Sequence, residues 1–541
     1  MTAIDSRIDT AAAAFQRNRD EMLACLAQVR AAEGKVRDSE AERAAQFRQR
    51  RQLLPRERVR LMLDRGSPFL ELSTLAGYRQ HDDKDGSLAG GNTIAGIGYV
   101  AGVRCLLSAS NSAIKGGTVT PWGMRKSLRM QEIALQQKLP LLWMIESGGA
   151  NLLYQAEMFI DGGRIFANQA RLSAAGIPQI AVVHGSSTAG GAYMPGLSDY
   201  VVMVRRQAKV FLAGPPLLKA ATGEIADDET LGGADMHGRH AGTCEFLAED
   251  DADAIRRARD IVASLDWNAA RPTFATASVR EPLYDGDELC GLVPVDYRKP
   301  YDCREVIARL VDASEFLEFK AEYDGQTVCG RATIHGMPVG IVGNNGPITV
   351  HGAAKAGQFL QLCDQAGIAL VFLMNTTGFM VGSESEQGGI VKHGSKMIQA
   401  VANVRVPRIA VVIGASFGAG NYGMSGRGFD PDFIFAWPNA RTAVMGGEQA
   451  AKVMGMVGRD KFAKAGTVPS AEEEAQLAAM EAGIVQQFER DSHPLAGTAR
   501  LYDDGLIDPR DTRRVLAYTL SICREARARV LRPNSFGVAR L

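Results

Sequence analysis

Short apolar runs alternate along the chain with glycine-rich turns and with longer stretches of helical periodicity. Runs such as Leu139–Ile145, Ile180–Val183 and Ile409–Ile413 have the length of a strand. Because they lack regular polar alternation, they indicate a sheet that is buried on both faces. Strands that alternate with helices predict an α/β fold. A polar stretch rich in Arg, Ala and Glu, from Asp9 to about Arg51, precedes the first strand and predicts a long, solvated surface helix. The alternative is a helix that contacts the second domain or a partner.

The same pattern occurs twice. Three pairs of segments match: Leu139–Gly149 with Ile368–Gly378, Ile177–Gly185 with Val406–Gly414, and Gly102–Asn111 with Gly336–Asn345. The first two pairs are 229 positions apart and the third is 234 apart, so the first copy carries about five extra residues around Ala113–Pro121. We predict a duplicated domain. Its parts are residues 1–272, including a helical extension over 1–55, and residues 273–541; they join within Asn268–Asp285, where prolines interrupt the periodicity.

Composition excludes several classes of function. Lys+Arg and Asp+Glu both number 61, so no net charge attracts nucleic acid. The eight cysteines form no C-x-x-C pair, and His237 and His240 lack a third spaced ligand, so we predict no metal site. No apolar run approaches the ~20 residues that span a bilayer, and the first residues do not resemble a targeting peptide. We therefore expect no membrane association and a cytoplasmic location.

Two glycine-rich turns follow the paired strands and carry the strongest chemical signal. The first is Gly185–Tyr193 and the second is Gly414–Tyr422, so that Gly190 and Gly191 align with Ala419 and Gly420. Backbone N–H groups at such a strand-to-helix turn bind negative oxygen, and they form an oxyanion hole when aimed at an oxygen that gains charge. We predict Gly190, Gly191, Ala419 and Gly420 as catalytic. The alternative is that the glycines only permit tight packing.

A serine hydrolase is a second interpretation of the later turn. Gly414–Gly418 matches the G-x-S-x-G nucleophile elbow with Ser416 as the nucleophile. Asp430 or Asp432 and then His493 would complete a triad in chain order. Ser187 in the first copy breaks the motif, which weighs against this alternative. A third alternative is a non-catalytic partner in a larger assembly.

Many long motifs resemble the carboxyltransferase (beta) subunits of biotin-dependent acyl-CoA carboxylases, of the methylcrotonyl-CoA and geranyl-CoA carboxylase type. The resemblance extends from about Arg56 to Arg527. The motifs include Ser147–Asn151, Thr188–Tyr193, Phe211–Glu224, Leu231–Asp235, Thr377–Gly382, Gly388–Gly394, Ser416–Met424 and Val444–Ala451. The resemblance implies that each half is a crotonase-like ββα superhelix domain and that the chain moves a carboxyl group from carboxybiotin to an acyl-CoA.

The resemblance also implies roles for particular residues. The turn at Gly190 and Gly191 would hold the thioester oxygen of the acyl-CoA, and the turn at Ala419 and Gly420 the ureido oxygen of biotin. The further residues implied for substrate are Gly149, Ala150, Ala192, Tyr193 and Lys355, and those for biotin are Gly418 and Tyr422. No A-M-K-M or ATP-grasp pattern is present, so a separate alpha subunit would carry and carboxylate biotin. Family members form homohexamers, with the active site between the N half of one subunit and the C half of another.

One departure from the methylcrotonyl-type pattern concerns substrate. Within Met158–Phe166 the expected loop is shorter, and Gly162 and Gly163 stand where that pattern has an aromatic residue. A missing ring would enlarge the acyl pocket, so geranyl-CoA is the preferred substrate and 3-methylcrotonyl-CoA the alternative. A difference in loop length away from the pocket would have no such effect. The sequence leaves the net direction of carboxyl transfer open.

Overall fold

The computed structural model describes residues 2–270 and 278–538. Within these residues the strands are β1 Thr2–Ala3, β2 Leu70–Leu72, β3 Thr93–Val100, β4 Val103–Ser110, β5 Leu141–Ser147, β6 Gln179–Thr188, β7 Tyr200–Val204, β8 Lys209–Phe211, β9 Phe246–Ala248, β10 Glu315–Glu318, β11 Thr327–Ile334, β12 Met337–Asn344, β13 Ala369–Thr376, β14 Arg408–Phe417, β15 Phe433–Ala436 and β16 Arg441–Ala443.

The helices of the same residues are α1 Ala13–Ala41, α2 Ala44–Gln49, α3 Pro55–Met62, α4 Pro121–Gln136, α5 Gln155–Ala174, α6 Tyr193–Gly196, α7 Pro215–Thr222, α8 Asp228–Gly232, α9 Ala234–Met236, α10 Asp251–Ser264, α11 Leu289–Leu292, α12 Cys303–Ala308, α13 Val350–Ala366, α14 Ser383–Gln387, α15 Ile390–Asn403, α16 Gly418–Gly423, α17 Gly447–Lys464, α18 Ala471–Ser492, α19 Pro494–Ala499 and α20 Thr512–Ala528. In the described part of the chain, no helix is both long enough and apolar enough to cross a bilayer.

The described residues form two compact units. The N unit comprises the described parts of Arg30–Phe274, Ala499–Leu501 and Ile522–Leu541. The C unit comprises those of Met1–Val29, Ala275–Thr498 and Tyr502–Ser521. The predicted boundary between residues 272 and 273 lies outside the described residues and stays a prediction.

Each unit contains one eight-stranded sheet, and seven strands of each sheet, β2 to β8 and β10 to β16, share one topology. The eighth strand differs: β9 lies at one edge of the N-unit sheet and β1 at the opposite edge of the C-unit sheet. The order is β2-β3-β4-β5-β6-β7-β9 in the N unit and β1-β10-β11-β12-β13-β14-β15 in the C unit. An antiparallel hairpin, β3–β4 or β11–β12, leads into three further parallel strands. β8 pairs with β6, and β16 pairs with β14, in the same way. The predicted α/β class and internal duplication are confirmed.

The duplication extends to irregularities of the backbone. The register of β5 against β6 shifts between Ile145 and Ser147, and that of β13 against β14 shifts between Met374 and Thr376. These positions are 229 residues apart. The apolar runs of β6 and β14 are buried along their length, as parallel strands with both faces covered require. In both units the shift lies just before the point where the predicted catalytic turn begins.

The expectation of a fully solvated N-terminal helix is wrong. Helix α1 forms as predicted, but one stripe of it is buried: Phe15, Met22, Leu26, Val29, Ala32 and Val36. These residues are spaced by three, four or seven positions and so lie on one face of a helix. Ahead of α1, strand β1 pairs with β10 in the C unit, and Thr2 lies opposite Phe316.

Candidate active site

The predicted catalytic turn of the N unit follows β6 directly. A single 3-10 turn, Ala189–Ala192, leads from the strand into α6. Gly190 is exposed and Gly191 is partly exposed. Ala189 has φ of 52°, a left-handed conformation that turns the chain sharply out of the strand. Ser187 Oγ donates to Gly191 O over 2.9 Å, which fixes the far side of the turn. The first N–H groups of such a turn have no partner within it and are available to a ligand.

The turn of the C unit has the same construction. Gly418 is the equivalent of Ala189 and also has φ of 52°. Helix α16 begins there, with Ala419 exposed and Gly420 buried. A Cβ on Gly420 would lie 2.9 Å from both Gly378 Cα and Thr376 Cγ2, so this position accepts only glycine. Both predicted turns therefore place an exposed residue, Gly190 or Ala419, at the first amides of a strand-to-helix turn.

A second loop supports each turn, and these loops are also equivalent. Gly149 N donates to Ser147 Oγ over 3.1 Å, and Gly378 N donates to Thr376 Oγ1 over 3.2 Å. Ala150 forms an isolated parallel β-bridge with Val119 in the N unit, and Phe379 forms the equivalent bridge with Ile348 in the C unit. A Cβ on Gly149 would lie 3.7 Å from Oγ1 of Thr188, the residue that precedes the predicted catalytic turn. The predicted substrate residue Gly149 thus lies beside the start of that turn, and Ala150 follows it in the chain.

Gly162 and Gly163 lie in the middle of α5, so the expectation that they form a loop is wrong. Phe166 follows them by one helical turn. Its ring contacts that of Tyr193 edge-to-face, with centroids 5.7 Å apart. Its Cζ would lie 3.9 Å from a Cβ on Gly190. Residues three or four apart share a helix face, so the glycines lie on the α5 face that carries Phe166 towards the turn.

Space is open beside both glycines on the surface of α5. A Cβ on Gly163 would meet nothing within 4 Å, and one on Gly162 would meet only Met124, at 3.4 Å. Ala192 is buried and Tyr193 is half exposed. Glycine in a helix interior costs roughly 1 kcal/mol relative to alanine. Two adjacent glycines in α5 therefore leave open space at an energetic cost.

Lys355 does not lie with the other predicted substrate residues on an accessible surface. Its side chain is fully buried on α13, and its Nζ donates to Asp324 O over 2.8 Å. Lys126 on α4 is also fully buried, and its Nζ donates to Gly90 O and Thr93 O. Burial lowers the pKa of Lys126 to about 8. Both side chains are buried and donate to backbone carbonyls, so neither ammonium group is accessible to a substrate in this structure.

A buried polar network behind the N-unit turn was missed from the sequence. Arg58 pairs with Glu146 at 2.5 Å and with Asp251 at 3.1 Å. Asp251 also contacts His184 Nδ1 at 2.8 Å. Burial and the neighbouring Arg58 lower the pKa of His184, so the ring is neutral at pH 7. The network joins β5 and β6, the two strands that lead into the predicted substrate loop and the predicted catalytic turn.

One signal for this network was present in the sequence. Glu146 and His184 interrupt apolar strands, whereas the positions 229 residues later hold Asn375 and Ile413. A charged residue at a buried strand position requires a partner. Arg58 and Asp251 come from α3 and α10, distant in sequence, and no local pattern identifies them as the partners.

The geometry does not fit a serine hydrolase. Ser416 is fully buried within β14, and its Oγ accepts from Asn421 Nδ2 over 2.8 Å. His493 Nδ1 accepts from Leu495 N over 3.2 Å. A nucleophile elbow instead exposes its serine at a strained turn. His237, the other candidate ligand, contacts Thr243 Oγ1 and Val210 O through its two ring nitrogens.

Two equivalent strand-to-helix turns, one in each half of a duplicated fold, each present an exposed residue, Gly190 or Ala419. Such turns can bind negative oxygen through their first amides. Comparison with known proteins identifies the family. The carboxyl transferase domain model matches residues 46–535, and the chain belongs to that family. It is a carboxyltransferase subunit of the biotin-dependent acyl-CoA carboxylase type, which confirms the prediction of function and of the crotonase-like fold.

Three relatives illustrate the similarity. The crystal structure of the P. aeruginosa geranyl-CoA carboxylase beta subunit is 60% identical, with a TM-score of 0.94 over 100% of both chains. The probable biotin-dependent acyl-coenzyme A carboxylase beta2 subunit of Mycobacterium tuberculosis is 50% identical over 99% of this chain and 98% of its own. The mitochondrial methylcrotonoyl-CoA carboxylase beta chain of Dictyostelium discoideum is 47% identical over 96% of this chain and 88% of its own.

Proposed function

We propose that the N-unit turn holds the thioester oxygen of a branched enoyl-CoA and that the C-unit turn holds the ureido oxygen of biotin. The observation that carries this proposal is the equivalence of the two turns, each with accessible first-turn amides. When the acyl α-carbon loses a proton, negative charge develops on the thioester oxygen. The amides at Gly190 and Gly191 stabilise that charge by donating hydrogen bonds. A pre-organised donor of this kind is worth roughly 3–4 kcal/mol in the transition state.

The C-unit turn fits the cyclic urea of biotin. Ala419 is exposed, and Tyr422 next to it is 47% exposed, so a flat ring can approach the amides from solvent. Gly420 packs its Cα side against Gly378, which holds the turn rigid. Biotin, carried by a separate subunit in this enzyme type, supplies the carboxyl group and accepts the substrate proton. The protein residues orient the two reactants and stabilise charge on their oxygens.

We further propose geranyl-CoA as the preferred substrate, with 3-methylcrotonyl-CoA as the alternative. This proposal is based on the open space beside Gly163 and on the nearby rings of Phe166 and Tyr193, which offer apolar surface to a long branched chain. The 60% identity to a geranyl-CoA carboxylase subunit supports the same assignment. Gly163→Phe would fill this space without a clash and would reduce kcat/KM for geranyl-CoA about 10–100-fold while sparing 3-methylcrotonyl-CoA. Gly163→Ala is the matched control.

Because Lys355 is buried, we propose an open groove instead as the contact for coenzyme A. It lies in the C unit between α13 and α15, has a volume of about 550 Å³, and belongs partly to the stretch 345–373 that resembles the acyl-CoA region of the family. Its polar lining includes Gln361, Gln365, His393 and Lys396. Lys396→Ala is expected to raise KM for acyl-CoA, whereas Lys392→Ala, exposed on the same helix, is not.

The direct test of function uses the purified chain with its biotin-carrying alpha subunit. Carboxylation of geranyl-CoA that depends on ATP and bicarbonate supports the proposal. Strong activity with 3-methylcrotonyl-CoA and none with geranyl-CoA would contradict the substrate assignment only. Unchanged turnover by Gly191→Val would instead indicate a non-catalytic assembly partner.

We propose a homohexameric core and a cytoplasmic location. The hexamer follows from the family resemblance, and the location is the expectation from the sequence. Analytical ultracentrifugation of the chain alone and with its alpha subunit tests the assembly. Fractionation of the producing cells tests the location.

A further inference from the structure

The loop between β4 and α4 is longer than its equivalent in the C unit. It spans residues 111–120, whereas the loop between β12 and α13 spans residues 345–349. Its centre, Lys115–Gly117, is a 3-10 turn in which all three residues have positive φ, at 46°, 62° and 70°. A left-handed conformation is costly for lysine. The protein therefore holds this insertion in a defined and strained shape.

The insertion binds the substrate loop of the N unit. Gly148 N donates to Gly116 O over 3.0 Å, and Ser147 Oγ donates to Gly117 O over 3.0 Å. A Cβ on Gly117 would lie 2.3 Å from Glu146 O, so the two backbones are in close contact. The strained turn thus sets the position of the loop that carries Gly149 and Ala150.

A polar cluster centred on Asp82 ties the insertion to the residues that follow this loop. Asp82 accepts hydrogen bonds from Lys115 Nζ at 2.9 Å, from Tyr154 OH at 2.6 Å and from Asn151 Nδ2 at 3.3 Å. The Tyr154 ring packs edge-to-face on His81, with centroids 4.4 Å apart. The hydrogen bond from Tyr154 and the charge of Lys115 lower the pKa of Asp82, which keeps the carboxylate ionised.

The polar cluster fixes both ends of a short turn that carries two leucines. The 3-10 turn Leu152–Tyr154 lies between Asn151 and Tyr154, which both donate to Asp82. Its two leucines, Leu152 and Leu153, are 80% and 82% exposed. They follow Ala150 of the substrate loop directly in the chain. Two neighbouring exposed leucines form an apolar surface beside the predicted substrate loop, and an apolar ligand can bind at such a surface.

We propose that Asp82, Lys115 and Tyr154 form a specificity clasp, in which Asp82 is a positioning residue that holds Leu152 and Leu153 against the distal part of a long acyl chain. The inference rests on the proposed function, because it places the acyl group beside Gly149 and Ala150. In this proposal the shorter 3-methylcrotonyl group contacts the substrate loop but not the leucines. The clasp therefore acts on discrimination between chain lengths and not on the carboxyl transfer itself.

The test compares kcat/KM for geranyl-CoA and 3-methylcrotonyl-CoA in the complex with the alpha subunit. Tyr154→Phe removes one hydroxyl and keeps the ring, and Leu152→Ser removes the apolar contact itself. Both variants are expected to lower the geranyl-to-methylcrotonyl ratio by about tenfold, mainly through KM for geranyl-CoA. Lys84→Ala, exposed on the same loop as Asp82, is the matched control and keeps the wild-type ratio.

The outcomes separate the clasp from the proposed function. An unchanged ratio in both variants overturns the clasp while leaving carboxyl transfer intact. Equal losses on both substrates, together with a lower melting temperature, show a purely structural role and also overturn it. A wild-type enzyme that carboxylates neither substrate contradicts the proposed function and with it the clasp. Asp82→Asn is a third variant, and Tyr154→Phe still decides the question if Asp82→Asn fails to fold.

Discussion

Gly190→Val tests whether the N-unit turn is an oxyanion hole. A Cβ at Gly190 has Phe166 Cζ, at 3.9 Å, as its nearest neighbour and otherwise points into open space. Valine is not a worse helix former than glycine, so the stability of the protein should change by less than about 1 kcal/mol. The added methyl groups occupy the exposed side from which a carbonyl must approach. Loss of one donor costs roughly 3–4 kcal/mol, which corresponds to a 10²–10³-fold fall in kcat.

The assay is ATP- and bicarbonate-dependent carboxylation by the chain with its alpha subunit, together with a thermal melt of each variant. Gly196→Val is the matched control, because Gly196 is also exposed, lies in α6 next to the turn, and would place its Cβ within 4 Å of nothing. Gly190→Ala should lose less activity, since Ala419 already carries a methyl group at the equivalent position. Turnover of Gly190→Val within twofold of wild type, with an unchanged melt, would refute the assignment.

Three further predictions concern stability. Gly420→Ala should unfold at a lower temperature or fail to fold, because its Cβ would lie 2.9 Å from the Gly378 backbone; a melt equal to wild type would contradict this contact. Gly163→Ala should stabilise the protein by roughly 0.5–1 kcal/mol in denaturant unfolding, because α5 has open space there and alanine favours a helix. Burial raises the pKa of Asp503 to about 7, so between about pH 4 and 7 the folded chain holds a proton that the unfolded chain has released. Stability from this protonated form is lost as pH rises from about 4 to 7. The difference in melting temperature between Asp503→Asn and wild type should therefore increase by at least about 2 °C between pH 5.5 and pH 8. A difference that stays constant over this pH range would refute the prediction.

The repeated architecture could be predicted because its signal is local. Continuous apolar runs identify buried parallel strands, and the constant spacing of 229 residues identifies the duplication. The same spacing placed Gly190 and Ala419 at equivalent turns, where the structure finds both exposed. A sharp, accessible turn after a buried strand requires glycine or other small residues at that point in the chain. Such turns can therefore be recognised in the sequence.

Features that depend on distant partners could not be predicted. Lys126 and Lys355 share the spacing of the duplication, but their buried carbonyl partners come from loops about 30 residues away. The buried face of α1 could not be recognised in the sequence, because charged residues surround its apolar positions. Gly162 and Gly163 suggested a loop, since glycine disfavours helices, yet tertiary packing keeps α5 continuous.

The most direct test of the central claim is a crystal structure of the chain with a bound branched enoyl-CoA. The measured quantity is the distance from the thioester oxygen to the amide nitrogens of Gly190 and Gly191. We predict at least one distance of about 2.7–3.1 Å, the range of a working oxyanion hole. A thioester oxygen that lies more than about 4 Å from both nitrogens, with the acyl group ordered, would contradict the account.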